Sequence, residues 1–154
     1  AARVEGCSGA IKGACPFFFN LSIRRFVNLS MAARIPLQDN IIVDKTFQFA
    51  VKILKFSPVL QESKHFVLAN QLLRSGMSIG ANTREAQNSE SKADFIHKFK
   101  IAAKEADEAE YWLSLANELY EDPLVPKLLE ELKVIQKIIT KIIATTKNQL
   151  AKKP

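Results

Sequence analysis

The pattern that most constrains this chain runs from residue 95 to residue 120. Phe95, Phe99, Ala102, Ala106, Ala109, Leu113, Ala116 and Tyr120 alternate spacings of four and three without a slip. That period belongs to a helix laid along one partner, because 3.6 residues per turn bring a side chain back to the same face every three or four positions. A second seam runs beside it through Ile101, Glu105, Glu108, Trp112, Leu115 and Leu119.

Three further patterns share the helical period. The first starts at Asp39 or Asn40, either of which suits an N-cap, and runs through Val43, Phe47, Ala50 and Leu54 towards a stop near Pro58. The second starts around Ser63 and runs through Ala69, Leu72, Gly76, Ile79 and Thr83 to about Gln87. Asn88 and Ser89 break it, and Ser91 is placed to cap the next helix. After Glu121-Asp122-Pro123 the fourth carries Leu128, Leu132, Ile135, Ile139, Ile142 and Thr146, with Pro123 suited to its first turn. Four amphipathic helices on short connections predict an all-α, antiparallel up-down-up-down four-helix bundle with neighbours inclined by roughly 20°. The alanines of the third helix allow close approach, and Gly76 and Gly80 are expected to face them from the second. The bundle domain is read as residues 39–150, with 151–154 as a tail.

Composition supports one ordinary core: 47% of the 154 residues are hydrophobic and 25% charged, and no apolar run approaches the roughly 18 residues of a membrane span. The net charge of +6 points towards a polyanion, but it is uneven. Residues 1–34 hold five basic residues against Glu5, 5 − 1 = +4, which leaves 6 − 4 = +2 for the rest. Both cysteines, Cys7 and Cys15, also fall in this segment, so the helical region suits a reducing cytoplasm. Their spacing, with no histidine nearby, is not that of a zinc site. Residues 1–38 show no sustained period and are expected to be an unstructured or non-native leading segment, with Met31 as the functional start; a transit peptide is the alternative.

Within the second pattern lies Arg74-Ser-Gly-Met-Ser-Ile-Gly-Ala-Asn-Thr-Arg-Glu85, which aligns Ser75, Ser78, Asn82 and Glu85 where an apolar seam is expected. Across it, Glu105 and Glu108 on the third helix are expected to pair with Arg74, Arg84, Ser78 or Asn82, since a part-buried carboxylate needs a partner. The set Arg74, Ser75, Ser78, Asn82, Glu85, Glu105 and Glu108 is therefore read as a helix–helix or subunit interface. Asp107 and Glu110 are placed on the solvent side.

The stretch Gln71 to Leu119 resembles the four-helix bundle proteins encoded in intervening sequences of bacterial 23S ribosomal RNA. Arg74-Ser75, Ser78-Ile79, Asn82 and Glu85 carry the likeness on the second helix, and Phe95, the alanine-rich run, Glu108 and Trp112-Leu113 on the third. It spans about residues 39–150, with Ala86 where relatives often have Gly. The resemblance implies a left-handed antiparallel bundle from a bacterial cytoplasm, often a homopentamer. The chain is also similar to the accessory variability determinant proteins of diversity-generating retroelements, which implies a basic ring associated with nucleic acid and a reverse transcriptase. It carries over no catalytic residues.

The chemical candidates are weak. Glu62-x-x-His65 and Asp94-x-x-His97 imitate the carboxylate-x-x-His ligands of di-iron bundles. A reversal at residues 87–91, however, separates the two histidines by on the order of 24 Å at 1.5 Å per residue. No phosphate loop, nucleophile elbow or triad order is present, so neither enzymatic activity nor a metal or other cofactor is expected. Lys133, Lys137 and Lys141 recur every four residues on the fourth helix, with Lys127, Lys147, Lys152 and Lys153 extending the basic character. This stripe is either a solvated face or a contact for nucleic acid. The expected function is a non-enzymatic oligomeric scaffold or adaptor for RNA or a nucleic-acid enzyme; the alternative is a protein–protein interaction module with no nucleic-acid role.

Overall fold

A computed structural model describes residues 40–151; the expectations for residues 1–38, for Asp39 as an N-cap and for residues 152–154 of the tail lie outside them, while Ala151 ends the last helix. Four helices follow in order: α1 Ile41–Glu62, α2 Phe66–Ala86, α3 Lys92–Leu119 and α4 Leu124–Ala151. Each packs on its sequence neighbours, and α4 closes against α1. Antiparallel pairing is visible in the side-chain links: Arg74 of α2 reaches Glu108 of α3, and Glu85 reaches back to Lys98.

Local chemistry sets the helix ends. Asn40 caps α1, its Oδ1 accepting from the Ile42 N–H, while its Nδ2 donates to Gln87 Oε1 at 2.8 Å and ties the start of α1 to the end of α2. Ser91 caps α3 by accepting from the Asp94 N–H at 3.1 Å. Asp122 Oδ1 accepts from the Leu124 N–H, which leaves Pro123 at the position where a missing N–H costs nothing. The end of α1 is a Schellman turn. Lys64 holds φ 63°, its N–H reaches the Gln61 carbonyl, and the His65 N–H reaches that of Leu60.

Pro58 does not stop α1, which continues to Glu62. The pyrrolidine ring is exposed, while Phe56, Ser57 and Leu60 around it are buried, so core packing holds the last turn against the lost hydrogen bond. The buried seam of α1 also differs from expectation. It runs through Ile42, Thr46, Phe49, Ile53, Phe56 and Leu60, whereas Phe47 and Leu54 remain 49% and 50% exposed. Thr46 can be buried because its hydroxyl donates back to the carbonyls of Ile42 and Val43, at 2.8 and 3.1 Å.

On α2 the seam from Ala69 to Thr83 is buried as the spacing requires, although the helix begins at Phe66 rather than near Ser63. The glycines face α1, not the alanines of α3. A Cβ on Gly76 would lie 3.1 Å from Ile53, and one on Gly80 3.5 Å from the Thr46 carbonyl oxygen. Between α2 and α3 it is the alanines that set the approach: Ala102, Ala106, Ala109 and Ala116 are all fully buried.

Candidate functional site

The polar stripe splits into three parts. Ser75 is buried and donates to the Gln71 carbonyl of its own helix at 2.9 Å. Asn82 Nδ2 donates to the Ser78 carbonyl and hydroxyl at 2.9 and 3.1 Å, again within α2. These three side chains therefore satisfy themselves locally and do not bond Glu105 or Glu108, because an i to i+4 partner on the same helix lies closer than one on α3.

The links across to α3 come from the outer edge. Arg74 Nη2 contacts Glu108 Oε1 at 2.6 Å, and Trp112 Nε1 donates to the same oxygen at 3.2 Å. Glu85 Oε2 accepts from Lys98 Nζ at 2.7 Å, and this hydrogen bond, with the carboxylate charge, raises the Lys98 pKa. Glu105 is half-buried and, like exposed Arg84, belongs to none of the ion pairs among the described residues. Asp107 and Glu110 also contribute to packing: Gln136 of α4 donates to both, at 3.2 and 2.7 Å. Lys52 and Glu131 pair across the closing face between α1 and α4.

No three His, Cys, Asp or Glu side chains gather as a metal-binding group among the described residues. His65 lies edge-on to Tyr120, ring centroids 5.7 Å apart, while His97 is exposed in the opening turns of α3, towards the opposite end of the bundle. No helix among the described residues is long and apolar enough to cross a membrane.

Two surfaces remain. Lys133, Lys137 and Lys141 are exposed on α4 and join no ion pair among the described residues. Where α2 begins and α3 ends lies a groove of about 460 Å³ whose walls include Phe66, Val67, Leu115 and Leu119. Phe66 is 55%, Val67 73% and Leu119 56% exposed, and Trp112 lies part-buried against them. The period alone places Leu115 and Leu119 on the second α3 seam, but it does not reveal that α2, beginning at Phe66, leaves them 37% and 56% exposed. The signal for that was the Schellman turn, written with Lys64 instead of the usual Gly.

These features define an all-α antiparallel four-helix bundle. The model for 23S rRNA-intervening sequence proteins matches residues 38–141, and the chain belongs to that family. Among solved structures it is similar to a protein with unknown function from the S23 ribosomal protein family of Bacteroides thetaiotaomicron. The two are 43% identical; the match covers 66% of this chain and 97% of that one, with a TM-score of 0.63. No curated protein matches this chain.

Proposed function

We propose that this protein is a non-enzymatic scaffold or adaptor of the bacterial cytoplasm, a bundle that self-associates, as a homopentamer by its resemblance, and carries RNA or a nucleic-acid enzyme. The observation that supports self-association is the groove between the start of α2 and the end of α3. Phe66, Val67, Leu115 and Leu119 form one apolar patch in place of scattered single residues, and contiguous apolar surface marks an association site. The occupant read here is a second copy. The lysine row supports the nucleic-acid part, since a row repeated by each subunit of a ring multiplies phosphate contacts.

Native mass spectrometry of the full chain tests the reading. A closed oligomer, five subunits by the resemblance, is expected, with additional mass that nuclease removes when the protein comes from cells. A monomer at every concentration would sink the scaffold. An oligomer that never retains RNA would leave the protein–protein module, which the same apolar patch also favours.

A further inference from the structure

The antiparallel pairing of α3 with α4 places two lysine-rich segments side by side. From Lys92 to Lys104, α3 has four lysines and one acid, Asp94; from Leu132 to Ala151, α4 has four lysines and no acid, so this half of the hairpin sums to 8 − 1 = +7. The other half is the reverse. Glu105 to Leu119 holds five acids and no base, the connection adds Glu121 and Asp122, and Leu124 to Glu131 holds two acids and Lys127, giving 1 − 9 = −8. The register is fixed by Gln136 on Asp107 and Glu110, and by Lys92 on Gln149 at 3.3 Å. Lys100 and Lys104 thus lie level with the α4 segment that carries Lys137 and Lys141.

Two of the eight lysines are engaged, Lys98 by Glu85 and Lys92 by Gln149. The other six, Lys100, Lys104, Lys133, Lys137, Lys141 and Lys147, are exposed and join no ion pair among the described residues. Lysines four apart on a helix rise about 6 Å from one to the next, and packed helices lie about 8–10 Å apart. The two rows therefore form a broad basic face rather than a single line.

We infer that this two-helix face, on α3 as well as α4, is a contact surface for the phosphate backbone of RNA and is confined to the basic half of the bundle. The inference rests on the reading that the protein carries nucleic acid, and it adds where the strand lies. A polyanion is favoured over an acidic protein because this half carries no contiguous apolar patch. None of the large apolar side chains from Lys92 to Lys104 is exposed, and on α4 Val134 and Leu150 stand singly, 44% and 41% exposed, Val134 beside Asp44 and Lys52 on the α1 side. Protein partners bind through desolvated apolar and aromatic anchors. A phosphate backbone needs none, because released counterions drive its binding. Without aromatics in the rows, base stacking adds little and sequence preference is weak.

The test is fluorescence anisotropy of the full chain with a labelled mixed-sequence single-stranded RNA over a salt series. Three variants are compared: Lys100→Gln with Lys104→Gln; Lys133→Gln with Lys137→Gln and Lys141→Gln; and a control in the acidic half, Lys55→Gln with Lys127→Gln. At about 0.7 log units per phosphate contact, the α3 double variant should flatten the slope of log Kd against log salt by about 1.4 and the α4 triple variant by about 2.1. The control should leave it unchanged. The basic leading segment is common to all variants, so slope differences isolate the bundle, and unchanged helicity and native mass confirm folding. If only the α4 variant flattens the slope, or if the control does so equally, the two-helix face is wrong while RNA binding stands. Wild-type protein with no salt-dependent binding would remove the nucleic-acid reading itself. Polyglutamate binding more tightly than RNA of equal charge would reassign the face to an acidic protein and overturn the inference.

Discussion

The two ends of the α3–α4 hairpin are built from the same kind of helix and suit opposite kinds of partner. One end is acidic and, beside α2, exposes Phe66, Val67, Leu115 and Leu119 around a groove. The other is basic, and the large apolar side chains exposed along its lysine rows, Val134 and Leu150, stand singly and form no patch with one another. Apolar area gives association that salt leaves largely intact, while lysine–phosphate contact weakens steeply as salt rises. Under the proposed function, keeping the two apart along the axis would let one bundle self-associate at one end and hold a polyanion at the other. Phe66→Ser combined with Leu119→Ser is the sharpest way to break this contrast. Fully burying one such side chain stabilises by about 1.5–3 kcal/mol, so native mass spectrometry should show the oligomer dissociating by one or more orders of magnitude in concentration. The RNA salt slope per chain should persist. An unchanged oligomer would move self-association away from the groove.

Much of the fold was legible because helical period is a local property. The seams of α2, α3 and α4 follow directly from their spacings, and Ser91 and Asn40 cap where their hydrogen-bonding side chains precede an apolar period. The seam of α1 was misread because two stripes one residue apart compete there. Phe47 and Leu54 look more core-like than Thr46, and only the back-bonded hydroxyl of Thr46 makes the other stripe buriable. Which neighbour Gly76 faces was hidden for a related reason: period gives the buried arc of a helix but not how two partners divide it. The candidate surfaces were less legible. The α4 lysines are a visible row, but Lys100 and Lys104 join them only through an inter-helix register, and the groove forms only where the start of α2 meets the end of α3.

A smaller effect separates stability from association at the apolar end. Lys64 occupies the left-handed turn at φ 63°, where a side chain costs roughly 1–2 kcal/mol and Gly is the usual residue. Lys64→Gly loses part of that gain to the freer unfolded chain, so a net stabilisation of about 1 kcal/mol is expected, a Tm rise of roughly 4 °C by thermal melting. The oligomer mass should not change. A lowered Tm would mean that the lysine side chain, which borders the groove, contributes more to packing than the turn costs.

The smallest contrast lies in the two ion pairs on the α2–α3 edge, one towards each end. Exposed pairs contribute about 0.2–1 kcal/mol, because side-chain ordering and solvent screening offset the attraction. Arg74–Glu108 should lie at the upper part of that range, since Trp112 Nε1 also donates to Glu108 and holds its carboxylate in place before Arg74 arrives. Glu85–Lys98 has no such third group, and the Glu85 carboxylate is 57% exposed, where solvent screens the pair. Double-mutant cycles by urea melting, Arg74→Ala with Glu108→Ala and Glu85→Ala with Lys98→Ala, should give the larger coupling for the first pair and a decline of both with added salt. Equal couplings would show that Trp112 does not preorganise Glu108. A larger coupling at Glu85 would mean that the carboxylate relieves repulsion within the lysine field, and removing it should then tighten RNA binding by freeing Lys98.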